Sequence, residues 1–153
     1  MNIPYHHKQT GWVMLIGFGL TFLTLLILSI FLATHVSALS ALITFFSAAA
    51  IAVLLALFSS MTVEINDDKL SWYFGPRFWK KTVSLAEIED ATPIQTKWYW
   101  GYGIKFFGPD RWLYSVSGLE AVEIKLKSGG WIRIGTDDAT GLVKSLRARS
   151  CSL

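Results

Sequence analysis

The feature that most constrains this chain is a run of 55 residues, from Gln9 to Val63, that contains no Asp, Glu, Lys or Arg. His35 is the only ionisable side chain in it. One helix of that length would be roughly 80 Å long at ~1.5 Å per residue, against a hydrocarbon core of ~30 Å. The run must therefore fold back on itself. It predicts a transmembrane hairpin of two helices, with everything after about Met61 on one face of the bilayer.

The polar stretch at 35–37 is the best position for the turn of this hairpin. It divides the run into helices at about 12–34 and 38–60 and leaves residues 1–10 as a short N-terminal segment. His35 is then a hydrated residue at the tip, although an intramembrane proton or metal group is an alternative. Because neither helix carries a charge, the hairpin is expected to be an anchor rather than a transport pathway. A cleaved signal peptide over 11–33 is the other interpretation, and the second helix would still anchor that product.

Small residues recur at every fourth position of the second predicted helix. Such a stripe allows close approach of a neighbouring helix, either the first helix or another membrane protein, although alanine is also simply common in such helices. The first helix offers Gly17, Thr21 and Thr24 as a matching face. The candidate packing residues are Ala48, Ala52, Ala56 and Ser60.

The distribution of Lys and Arg around the hairpin predicts its orientation. Lys8 precedes the first helix, no Lys or Arg lies in the turn, and Lys69, Arg77, Lys80 and Lys81 follow the second helix. Since positive residues are retained on the cytoplasmic side, both termini and the domain that follows are expected to be cytoplasmic.

Residues 61–153 are enough for one small domain. These 93 residues hold 13 Lys and Arg and all 11 Asp and Glu, and a net charge of +2 does not suggest nucleic-acid binding. The single cysteine, Cys151, cannot form an internal disulfide. Alternating apolar and polar residues predict about seven antiparallel strands, then an amphipathic helix after the cap residues Thr136, Asp137 and Asp138. The strands are expected near 62–65, 70–74, 80–95 (bent at 86–87), 102–107, 112–116, 122–127 and 131–134.

This order of elements resembles the bacterial pleckstrin-homology-like (PH-like) domain family, in its membrane-tethered form with two preceding helices. The segments that carry the resemblance are Gly101–Lys105, Trp112–Gly118, Ala121–Ile124 and Arg133–Asp137. It implies a bent sheet or open barrel capped by a C-terminal helix, in a multi-pass protein of the bacterial inner (cytoplasmic) membrane. Eukaryotic relatives of the fold bind phosphoinositides through basic residues in the first strand–strand loop. Here that loop is acidic, Asn66-Asp67-Asp68, which argues against that mode of lipid recognition.

A simple up-and-down meander would return alternate loops of the domain to the bilayer. Those loops, 75–81, 108–112 and 127–131, are basic and aromatic, so this end is predicted to lie on anionic headgroups. The alternative is that the aromatic residues belong to the core. The candidate lipid contacts are Arg77, Phe78, Trp79, Lys80, Lys81, Arg111 and Trp112. A separate aromatic cluster in a loop at the opposite end is a candidate partner contact, or else packs on the sheet: Lys97, Trp98, Tyr99 and Trp100.

No residues form a catalytic pattern, so the chain is expected to be neither an enzyme nor a binder of cofactors, metals or small-molecule substrates. His6-His7 has no third metal ligand, and Gly101-Tyr102-Gly103 precedes a strand rather than a helix. Three functions remain. The first is an adaptor or scaffold for a protein partner or a homo-oligomer. The second is a sensor of the anionic lipid surface, and the third is an accessory subunit held through the second helix.

Overall fold

The structure, a computed structural model, describes residues 5–97, 102–116 and 118–150. Two long apolar helices lie near the N-terminus and are followed by a mainly-β domain that ends in a helix. The two helices, the β domain and the closing helix were all predicted. Within the described residues the strands form two separate sheets, and no strand pairing closes them into a barrel.

The hairpin consists of α1 (Trp12–His35) and α2 (Ala38–Phe58). Ser37 begins α2 as its N-cap, since its side chain accepts a hydrogen bond from the backbone N–H of Ser40 at 3.3 Å. The α2 helix ends two residues earlier than predicted. Ser60, expected in this helix, is instead the first residue of a strand.

Both helices are long and apolar enough to cross a membrane. Their outward side chains are large, apolar and exposed, as at Ile16, Ile27, Leu39 and Phe46. A soluble protein rarely exposes so extensive an apolar surface. The two helices therefore differ from the core helices of a soluble protein, whose apolar side chains are buried.

The burial of the second helix does not follow the predicted spacing of four. Steps of four residues turn by about 40° beyond a full rotation of the helix, so such a stripe drifts off one face. Ala48 is accordingly buried, Ala52 is half-buried and Ala56 is exposed. The predicted matching face of α1 is also exposed at Gly17, Thr21 and Thr24. The buried positions are Ser29 in α1 and Ala41 and Ala48 in α2.

One polar contact joins the two helices near their turn. The buried hydroxyl of Ser29 donates to the carbonyl oxygen of Ala41 at 2.8 Å. Ala41 and Ala48 both lie in the interface, where their small side chains allow the backbones to approach.

Residues assigned to a short N-terminal segment form a strand, β1 (Tyr5–Thr10). It pairs antiparallel with β2 (Ser60–Asn66), from Tyr5 opposite Ile65 to Thr10 opposite Ser60. The backbone N–H of Gly11 also donates to the carbonyl oxygen of Ser59 at 2.8 Å. The two ends of the hairpin are thus joined by a continuous ladder of hydrogen bonds.

The first sheet has the order β1-β2-β3-β4, with β3 at Lys69–Phe74 and β4 at Phe78–Ser84. The second has the order β5-β8-β9-β7-β6. Its strands are β5 (Ile88–Gln95), β6 (Gly103–Phe106), β7 (Arg111–Ser115), β8 (Glu120–Leu126) and β9 (Trp131–Gly135). The single strand predicted over 80–95 is divided between the sheets by a 3-10 turn at Leu85–Glu87.

The core lies between the two sheets and under α3 (Ala139–Ser150). The predicted alternation holds in β3, where Leu70, Trp72 and Phe74 all point into this core. Leu142 and Leu146 of α3 close it from one side. The predicted cap is confirmed at Asp138, whose carboxylate accepts from the backbone N–H of Gly141 at 3.0 Å.

Replacing Ala48 by Leu should destabilise the hairpin, because a large side chain would overpack a position that is almost completely buried. We expect a loss of about 1–3 kcal/mol of unfolding free energy. The matched control is Ala49→Leu on the exposed side, which should change it by less than about 0.5 kcal/mol. The measurement is an SDS titration of the full chain in dodecyl maltoside, followed by circular dichroism. Equal effects of the two variants would contradict this interface.

Candidate functional site

Three contacts identify the end of the domain that meets the helices. A Cβ on Gly75 would lie 2.7 Å from the carbonyl oxygens of Ala56 and Leu57, at the end of α2. A Cβ on Gly103 would lie 4.0 Å from Met14 of α1, and a Cβ on Gly11 would lie 3.1 Å from Val116. The β3–β4 turn, the start of β6 and the end of β7 therefore form this end, which we call the hairpin end.

The β3–β4 turn presents a cation and two aromatic rings at the hairpin end. Phe78 lies against Phe58 at the end of α2, with ring centroids 6.4 Å apart, yet it remains 39% exposed. Its neighbour Trp79 is 50% exposed, and Arg77 lies over the Tyr73 ring at 5.9 Å. Arg77 and Trp79 both have positive φ, at 62° and 52°. Such backbone is costly outside glycine and is concentrated at functional sites.

The two lysines of β4 lie on opposite faces of the sheet. Lys80 donates to the carboxylate of Glu64 on β2 at 2.9 Å, so its charge is largely balanced. Lys81 pairs in register with Trp72, whose side chain is in the core, and it therefore lies on the inner face. No acidic side chain in the described residues lies within salt-bridge distance of Lys81.

Arg111 and Trp112 lie at the other end of the domain, contrary to the meander on which their prediction rested. The β7 strand is parallel to β9 and runs from Arg111 towards Val116 at the hairpin end. Five residues of strand cover about 17 Å. The loops at 107–110 and 127–130 are therefore far from the helices, and only the β3–β4 turn of the three predicted loops is at the hairpin end.

These two distant loops instead build a cluster around Trp131. The guanidinium of Arg133 lies 4.0 Å from the centre of the Trp131 ring, and that of Arg111 lies 5.7 Å from it. Phe107 stacks on the same ring at 6.3 Å. Cation–π contacts of this kind stabilise the packing of Arg side chains on aromatic rings. The parallel pairing that brings the three segments together has no local sequence signal.

The predicted partner cluster falls largely outside the described residues. Trp98, Tyr99 and Trp100 belong to the undescribed range 98–101, whereas Lys97 is described and exposed.

Two side chains of β1 attach it to the turn before α3. The Tyr5 hydroxyl donates to the carboxylate of Asp138 at 3.1 Å, and His7 Nε2 contacts the carboxylate of Asp137. Burial, with the Asp138 contact as a second cause, raises the pKa of Tyr5 above its ordinary value of 10.0. These contacts have no local sequence signal, because their partners are more than 120 residues apart.

A cavity of about 470 Å³ lies where the sheets separate, between β4 and the strands β7 and β9. Trp72 and Tyr114 pack edge to face in its wall, with ring centroids 5.3 Å apart, and burial raises the pKa of Tyr114. Within the described residues the Trp72 Nε1–H has no hydrogen-bond acceptor. The remaining lining residues are Lys81, Thr82, Val83, Asp110, Trp112, Leu126, Ser128 and Ile132.

No family model and no curated protein matches this chain. Among residues 5–97, 102–116 and 118–150, no three His, Cys, Asp or Glu side chains are grouped so that they could hold a metal ion.

Gly75→Ala should destabilise the protein through its contact with α2. The new methyl group would overlap two carbonyl oxygens, in addition to the cost of positive φ. Gly129→Ala is the matched control, since Gly129 also has positive φ but nothing within 4 Å. We expect the control to lower the free energy of unfolding by about 1–2 kcal/mol and Gly75→Ala to lower it by at least about 1 kcal/mol more. Chemical denaturation measures both values. Equal losses would show that Gly75 does not pack against the helix.

The Tyr5 contact predicts a loss of stability in alkaline solution. Because folding raises the pKa of Tyr5, its contribution is fully present below the unfolded value of 10.0. It is lost as the pH rises through the folded value. Tyr5→Phe should cost about 0.5–1.5 kcal/mol at neutral pH and reduce the decline in stability above pH 10. Thermal unfolding at a series of pH values tests this, with Tyr73→Phe as control. If the melting temperatures of Tyr5→Phe and the wild-type protein fall equally with rising pH, Tyr5 does not contribute to the alkaline loss of stability.

Proposed function

We propose that this chain is a membrane-anchored, non-enzymatic adaptor that holds a PH-like domain in a fixed orientation at the cytoplasmic face and presents it to a protein partner. The observation that carries this proposal is the double connection between hairpin and domain. The α1 helix follows β1 after the single residue Gly11, and α2 is separated from β2 only by Ser59. With the two strands paired, the domain has no flexible linker about which to rotate.

Membrane anchoring is supported by the length and exposed apolar surface of both helices. The β1–β2 pairing requires the N-terminus and the domain to lie on one side of the bilayer. The Lys and Arg residues on that side, with none in the turn, favour the cytoplasm in this proposal. Two sheets closed by a helix agree with a PH-like domain of a bacterial inner-membrane protein. The parallel β7–β9 pair departs from the expected antiparallel set.

Cross-linking and co-purification from native membranes test the adaptor function. The full chain should recover a stoichiometric partner, and a chain truncated after Ser60 should lose it. Inserting eight flexible Gly and Ser residues both at Gly11 and at Ser59 should lower recovery at least fivefold, because orientation is lost. An insertion at Gly129, in an exposed turn, is the matched control. Retention of the partner by the truncated chain would favour an accessory subunit held through the hairpin and would contradict the adaptor.

Contact of the β3–β4 turn with anionic lipid is a second candidate function. Phe78 and Trp79 are exposed directly beside the end of α2, and Arg77 adds a positive charge there. Aromatic rings favour the membrane interface, and a cation near an anionic leaflet contributes about 1 kcal/mol. This candidate excludes Arg111 and Trp112, which lie at the opposite end.

Quenching of tryptophan fluorescence by brominated lipids tests this contact in nanodiscs. Trp79→Phe should lower the quenched fraction of the total fluorescence, since Trp79 is expected in the interface. Trp131→Phe is the control and should not lower it, because Trp131 lies about 17 Å along the strand direction from the hairpin end. If Trp79→Phe leaves the quenched fraction unchanged, the turn does not touch lipid.

A further inference from the structure

Among residues 5–97, 102–116 and 118–150, no strand pairs with one side of the β4 backbone. The β4 strand is the last strand of the first sheet, and its partner there is β3. Five of its seven residues, Phe78–Thr82, are exposed, so side chains on both faces are open to solvent. An edge strand in this state presents a row of N–H and C=O groups that another extended chain can pair with.

The β1 strand, the other edge of the first sheet, is attached to the turn before α3 through Tyr5 and His7. The two edge strands of the second sheet, β5 and β6, are less suited to strand addition. In β5, Pro93 has no N–H, and Arg147 Nη2 donates to the carbonyl oxygen of Ala91 at 3.2 Å. The β6 strand contains only four residues. The β4 strand contains seven residues and no proline.

The charge on β4 indicates what kind of chain would pair with it. Residues 77–84 include Arg77, Lys80 and Lys81 and no acid. Lys80 is balanced by Glu64, whereas Lys81 lies at the mouth of the cavity between the sheets, with Asp110 in the facing wall. A second copy of this chain is a poor partner, because antiparallel pairing of two β4 strands would bring their lysines together.

We propose that β4 is a docking strand for an extended, acidic segment of a protein partner. The segment pairs with the free edge of β4, its acidic side chains lie near Lys81, and an alternate apolar side chain enters the cavity of about 470 Å³ beside Trp72 and Tyr114. This proposal rests on the adaptor function and assigns its binding surface.

A defined probe tests the docking strand. The full chain in dodecyl maltoside is titrated against a fluorescein-labelled peptide of alternating Glu and Val, and binding is followed by anisotropy. A peptide with two Val residues replaced by Pro keeps the charge but cannot form a ladder. It should bind at least tenfold more weakly. Lys81→Glu should also weaken binding of the first peptide at least tenfold, whereas Lys144→Glu, on the exposed side of α3, should change it less than twofold.

Several results would overturn the docking strand. These are absent binding, equal binding of the two peptides, or equal losses in the two Lys variants, which would indicate general electrostatic attraction. Dimerisation of the chain through β4 would also overturn the proposal. So would a Lys81→Glu variant that changes the quenching by brominated lipids but leaves peptide binding unchanged. Unchanged far-ultraviolet circular dichroism confirms folding of each variant. A partner recovered from native membranes equally by wild-type and Lys81→Glu chains would refute this surface but leave the adaptor function intact.

Discussion

The pairing of β1 with β2 is the constraint on which the rest of the structure depends. It joins the residue pairs Tyr5–Ile65 and Thr10–Ser60 on either side of the hairpin. Without it, the helices would be a tether and the β domain could take any orientation at its end. With it, the direction of α1 and α2 determines the direction of every strand of the first sheet. The β3–β4 turn is consequently held beside the end of α2.

This geometry separates two surfaces that composition alone suggested were one. The aromatic and basic residues of the β3–β4 turn remain at the hairpin end, while those around Trp131 pack on one another at the far end. Part of the positive charge is balanced within the domain, since Lys80 pairs with Glu64 and Arg133 with Glu123 at 2.6 Å. The exposed rings of the β3–β4 turn and the cluster around Trp131 therefore lie on different parts of the domain. The open side of β4 runs from the β3–β4 turn at the hairpin end towards the cluster around Trp131.

The features predictable from the sequence are those with local causes. The charge-free run predicted the hairpin, and the alternation in Leu70–Phe74 predicted β3. The β1 strand was missed because Tyr5–Thr10 is mostly polar and has no apolar alternation, its hydrogen bonds being supplied by β2. The parallel pairing of β7 with β9 was missed because it requires β8 to pair on the far side of β9, which no local sequence pattern indicates. For the same reason Arg111 and Trp112 were placed at the wrong end, whereas Arg77, Phe78 and Trp79 follow β3 directly.

The separation of β1 from β2 along the chain has a consequence for the order of assembly. Closing a ladder across some fifty intervening residues is entropically unfavourable for a flexible chain. Two helices packed against each other reduce this cost, because they hold the ends of that loop close together. In synthesis from the N-terminus, β1 emerges first but has nothing to pair with until α2 has formed and β2 follows it. The strand that is made first is thus completed only after the hairpin, and formation of the two helices becomes a step in folding of the β domain.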